Sequence, residues 1–119
     1  MSKSLKERQD EARDLLGEEL KHPRLGAVLG LSEELGELVK EIMELEIYNK
    51  PEFPLDEETR QKISAEVGDV LFSLFEVCTA YGIDLETAYD YKLDKIRSKR
   101  DKWLVDLGDK LIQRRKELD

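Results

Sequence analysis

Apolar residues recur at helical spacing through most of the chain, and the breaks between the runs fall at proline, glycine and capping residues. The pattern predicts four helices. The first spans residues 4–20, with Leu5, Ala12, Leu15, Leu16 and Leu20 forming a thin stripe ahead of Lys21-His22-Pro23. The second starts near Leu25 and carries Val28, Leu31, Leu35, Leu38, Val39, Ile42 and Leu45 on one face, ending around Tyr48-Asn49 before the loop at residues 50–54. The third follows Asp56, a good N-cap, and runs through Ile63, Val67, Val70, Leu71, Leu74, Val77 and Cys78 to Tyr81, where Gly82 closes it. Asp84 caps the fourth, which passes Ala88, Tyr91 and Ile96 to Trp103; Gly108 interrupts a charged tail that is expected to be helical. No strand-like alternation of useful length occurs. The fold class is therefore all-α, a four-helix bundle-like domain. Phe72 and Phe75 lie roughly 100 to 160° from the centre of the third helix's stripe, so a second apolar face needs a cover. Either another helix of the chain or a homo-oligomeric interface would supply it.

A length of 119 residues suits one domain, residues 1–119, with its core at about 25–100 and a charged tail at 104–119. The single thiol, Cys78, sits in an apolar run and reads as an inert core residue; no disulfide framework exists. The start of the chain has no apolar signal segment, and no run reaches the roughly 18 apolar residues of a membrane span, so a cytoplasmic location is expected. A net charge of -8 leaves no general basic footprint for duplex nucleic acid.

That acidity is unevenly placed. Glu33-Glu34-Leu35-Gly36-Glu37 and Glu66-Val67-Gly68-Asp69 put carboxylates beside the apolar stripes of the second and third helices. Glu34 falls roughly 80° and Glu37 roughly 140° from the centre of its stripe, and Glu66 and Asp69 repeat nearly the same offsets. If the two helices pack side by side, two i,i+3 acidic pairs converge. Like charges crowded at the edge of an apolar interior repel and lose hydration, and a hard divalent cation relieves both costs. Glu34, Glu37, Glu66 and Asp69 are accordingly candidate ligands for magnesium or manganese. A solvated helix edge is the plain alternative, since such pairs arise easily among 28 acidic residues. Gly36 and Gly68, each inside an acidic motif, point to close helix approach or to room for a ligand.

In these two motifs the chain resembles the MazG-like, all-α nucleoside triphosphate pyrophosphohydrolase superfamily, whose signature is E-E-x-x-E followed by E-x-x-D. The resemblance covers residues 25–100. It implies that Glu34, Glu37, Glu66 and Asp69 bind magnesium, and that Glu33 orients or deprotonates the attacking water. Lys92, Lys95 and Lys99 follow helical spacing on the fourth helix, with Arg97 and Arg100 nearby. The family's basic segment singles out Lys92, Arg97 and Lys99 as phosphate contacts. Many relatives carry an asparagine where Ile96 stands, which leaves sugar or base recognition open; Tyr48, Phe53 and Tyr91 are candidate stacking residues.

The resemblance implies hydrolysis of a nucleoside triphosphate at the α–β bond, giving monophosphate and pyrophosphate in nucleotide-pool housekeeping, by a homodimer or homotetramer. Two alternatives stand beside it. Phosphoribosyl-ATP pyrophosphohydrolase of histidine biosynthesis shares the fold and the acidic signature, and a non-catalytic helical interaction module would carry its acids only for solubility. A di-iron bundle wants Glu-x-x-His pairs, and His22 is the only histidine.

Overall fold

The computed structural model describes residues 2–119, and those residues form four α-helices without a strand. They are α1 (Leu5–Leu16), α2 (Arg24–Glu44), α3 (Glu57–Ala80) and α4 (Leu85–Leu118). The chain divides into two compact units, one running up to Leu85 and the other Glu86–Asp119.

In the first unit α2 and α3 pack on each other as a helical hairpin, and α1 packs on α3. Each helix starts where its cap allows. Ser4 accepts from the Glu7 amide while Glu7 accepts from the Ser4 amide, so two otherwise unpaired donors of α1 are satisfied reciprocally. Asp56 Oδ1 accepts from the Thr59 amide at 2.7 Å, which begins α3 at the residue after the expected cap and holds the Asp56 carboxyl below its ordinary value. Gly82, at φ 67°, takes the left-handed turn that lets the chain leave α3.

Two boundaries differ from expectation. The first helix stops at Leu16 because Gly17, at φ 62°, turns the chain out of the helix. The second keeps α-geometry only to Glu44 and continues as one π-helical turn, Leu45–Asn49, before Lys50 enters the left-handed region at φ 41°.

The buried residues also differ from the expected stripe. Phe75, Cys78, Ala12 and Ala27 are the buried apolar side chains, whereas Val28, Leu35, Val39 and Ile42 of α2 and Val67 and Leu71 of α3 stand exposed. Phe75, placed off the stripe by periodicity, is thus closer to the centre of this unit than Val67. The reason is geometric: α1 and α2 cover only part of the circumference of α3, and they cover the side that carries Phe75. Burial of Cys78 pushes its thiol above the ordinary value, and the charge of Asp84 adds to the shift, which suits an inert packing residue.

One buried polar side chain, Gln9 of α1, ties the end of the unit together. Its Nε2 donates to the Ile83 carbonyl at 2.8 Å and to Thr79 Oγ1 at 3.4 Å, and its Oε1 accepts from the Leu85 amide at 2.9 Å.

The second unit is helix α4, which has no buried residue among those described. It stays helical through Gly108, so that glycine does not break the tail. Among the described residues no helix is long and apolar enough to cross a membrane.

Candidate active site

The α2–α3 hairpin brings the two acidic motifs together from opposite helices. Glu34 and Glu37 stand one turn apart on α2, and Glu66 faces them from α3. Each contributes a carboxylate oxygen to a group whose atoms all lie within 4.8 Å of one another. Glu34 and Glu66 are half-buried and Glu37 is exposed, so the cluster has a closed floor and an open rim.

The floor is electrostatically unsatisfied. Oε2 of Glu34 and Oε2 of Glu66 are both shut away from solvent and have no hydrogen-bond partner. Burial raises the carboxyl of Glu34 above its ordinary value, and the negative charges of Glu37, Asp69 and Glu66 raise it further. Burial does the same at Glu66, with Glu37, Asp69 and Glu41 adding to it. An orphaned buried carboxylate oxygen is costly in any protein, and two beside a third carboxylate are costlier. This donor set, all hard oxygens with an open side, fits a hard divalent cation with water or substrate oxygens completing its shell.

Asp69 stands one turn beyond Glu66 on α3, exposed and outside the 4.8 Å group, yet it is near enough to raise both buried carboxyls. Glu33 is exposed on α2 beside Glu34. Lys92, Arg97 and Lys99 belong to α4 and are exposed; Arg97 Nη1 lies 3.9 Å from Asp94 Oδ1 on the same helix. Lys95 sits over the Tyr91 ring, 4.5 Å from its centroid, which occupies both residues with each other.

Glu41 is the acidic neighbour that sequence reading passed over. It follows Glu37 by one turn, and the i, i+3, i+7 spacing of residues 34, 37 and 41 was the available signal. A Cβ added at Gly36 or Gly68 would meet nothing within 4 Å, so neither glycine serves close packing within the unit; both leave space beside the acids.

Comparison with known proteins identifies the family of the chain. The family model of the MazG nucleotide pyrophosphohydrolase domain matches residues 24–105, a stretch that includes both acidic motifs. The crystal structure of the Bacillus-conserved MazG protein, a nucleotide pyrophosphohydrolase, is similar at a TM-score of 0.61 and 30% sequence identity, over 80% of this chain and 90% of that one. No curated protein matches the sequence.

Proposed function

The chain belongs to the MazG nucleotide pyrophosphohydrolase domain family and is a hydrolase of nucleoside triphosphates, and from that premise we propose that the acidic cluster of the hairpin is its active site. The reaction is attack of water at the α-phosphorus. The bond from the α-phosphorus to the α–β bridging oxygen breaks, and nucleoside monophosphate, pyrophosphate and a proton result. The observation that carries this reading is the pair of buried, unpartnered oxygens on Glu34 and Glu66 at the floor of a three-carboxylate group.

Glu34, Glu37 and Glu66, with Asp69 beside them, would hold divalent metal, magnesium or manganese. Such an ion supplies positive charge where triphosphate oxygens bind, without which the acids would repel the substrate. Glu33 is exposed and rotated about 100° from Glu34, which frees its carboxylate to orient the attacking water and take its proton. On the family resemblance Lys92, Arg97 and Lys99 supply cations to the phosphates. The cellular role consistent with this chemistry is removal of unwanted triphosphates from the nucleotide pool.

The active form is a homo-oligomer. Val39 and Val67 are 52% and 49% exposed on helices that otherwise read as core elements, and Val28, Leu35, Ile42 and Leu71 extend the same apolar surface. Exposed apolar side chains gathered on two packed helices are what a second subunit buries.

Pyrophosphate release from a panel of nucleoside triphosphates, with magnesium and with chelator, tests the proposal. Metal-dependent release that Glu37→Gln abolishes is the expected result. Absence of release from every triphosphate in the panel would overturn it.

A further inference from the structure

Two helical turns along the hairpin from the acidic cluster there is a second concave feature. Ala27 stands seven positions before Glu34 on α2, and Glu76 stands seven positions after Asp69 on α3. Seven residues make about two turns and about 10 Å of rise, so each returns to nearly the face of the acid it follows. There α1 and the α1–α2 connection close over the hairpin and leave a cavity of about 300 Å³, with Ala12, Leu16, Lys21, His22, Glu76 and Thr79 in its wall.

Apolar atoms make up most of the exposed wall, as in many small-molecule sites, and Arg13, Asp14 and Glu18 line it as well, beside Lys21 and Glu76. His22 Nδ1 donates to Glu76 Oε2 at 2.9 Å, since an ionised carboxylate only accepts, and this fixes the orientation of a side chain that is 17% exposed. Oε1 of Glu76 makes no hydrogen bond among the described residues. Lys21, in the same wall, makes no ion pair among them. The cavity therefore offers an acceptor carboxylate and a cation, each available to a ligand.

On the reading that the acidic cluster is where triphosphate is hydrolysed, we propose that this cavity receives the nucleobase of the substrate, and that Glu76 with Lys21 selects guanine. The separation of about 10 Å along the helices suits a ligand whose phosphates lie at the acids and whose base lies in this cavity. Guanine places a carbonyl acceptor, O6, next to two donors, N1–H and N2–H₂. Lys21 complements the first and Glu76 the others. Adenine and cytosine set a ring-nitrogen acceptor beside their amino group, and uracil flanks its one N–H with two carbonyls. Each of those edges turns a lone pair toward the carboxylate and leaves Glu76 short of a partner.

The test has two arms. In the first, pyrophosphate release from dGTP, dATP, dCTP and dUTP is compared for the wild-type protein and Glu76→Gln. The wild type should favour dGTP by at least about tenfold in kcat/KM, and the variant should lower the dGTP to dATP ratio by at least about tenfold, because an amide puts a donor against a donor. A different preferred base, or an equal fall on all four substrates, would overturn the assignment, the latter marking Glu76 as merely structural. In the second arm, guanosine is added to the metal-chelated wild-type protein and amide resonances are followed. Shifts should concentrate at Ala27 and Thr79, with adenosine giving weaker ones; shifts elsewhere, or none, would overturn it. Failure of every triphosphate in the first arm while guanosine still perturbs the cavity would sink the hydrolase reading and leave the guanine site standing.

Discussion

Glu34 on α2 and Glu66 on α3 meet across the hairpin, each with its Oε2 enclosed and neither oxygen hydrogen-bonded. Both carboxyls have folded-state values raised above the ordinary 4.5, burial being the larger cause at each. A raised carboxyl favours the fold while it is protonated. Its contribution is full below 4.5 and is lost as pH rises through the raised value, so at neutral pH the metal-free protein carries the strain of two ionised, poorly solvated groups. In chelator, Glu34→Gln and Glu66→Gln should therefore raise the Tm at pH 7, with the gain shrinking below pH 4.5. Magnesium should raise the Tm of the wild type and do so less for either variant. Thermal unfolding across pH, with and without magnesium, measures both effects.

Glu37 and Asp69 are exposed, so neutralising them should leave the fold intact while removing negative charge from the cluster. Glu37→Gln and Asp69→Asn should each lower kcat by at least about 100-fold, with circular dichroism unchanged. Glu33→Gln should lower kcat while leaving magnesium affinity, measured by calorimetric titration, near that of the wild type. Wild-type rates in both Glu37→Gln and Asp69→Asn would remove the site from this hairpin edge.

Gly36 and Gly68 lie inside helices with open space where a side chain would go. Alanine at either should raise unfolding stability by about 0.5 to 1 kcal/mol, the ordinary helix-propensity difference, as read from urea denaturation. A loss of stability would mean that another surface covers those positions in solution.

The exposed valines of the hairpin make a sharper test of assembly. Val39→Glu should shift the protein toward a smaller species in sedimentation velocity, since a charge at 52% exposure is harmless in a monomer but costly in an apolar interface. An unchanged sedimentation coefficient would place the interface elsewhere.

Most of the helical layout was legible because it rests on local spacing. Asp56, Gly82 and the 3.6-residue period mark α3 to within a residue or two at either end, and the offsets of Glu34, Glu37 and Glu66 from their stripes placed them on facing edges. What local spacing does not encode is which side of a stripe receives a neighbour. That is why Val67 and Leu71 proved exposed and Phe75 buried, and why Asp69 stands outside the closest carboxylate group. The π-helical turn at Leu45–Asn49 has no periodic signal of its own. Gln9 and the Glu76 cavity were hidden for a different reason, since both depend on partners more than 50 positions away in sequence.

Gln9 is the cheapest of these features to remove. Its replacement by alanine strands the buried Ile83 carbonyl and the Leu85 amide, and should lower unfolding stability by about 1 to 3 kcal/mol in urea titrations. A change under about 0.5 kcal/mol would mean that solvent satisfies both groups.

The same amide has a consequence for how the molecule is assembled in time. The hairpin joins segments adjacent along the chain, whereas Gln9 spans 74 residues to Ile83 and 76 to Leu85. Its two ends of contact close a loop that encompasses the whole α2–α3 hairpin, so this closure costs more chain entropy than pairing the hairpin itself. The amino-terminal helix thus works as a clasp: a ribosome-bound chain that has not yet released residue 85 lacks the Leu85 amide that Gln9 Oε1 accepts from, and the clasp is complete only once that residue emerges.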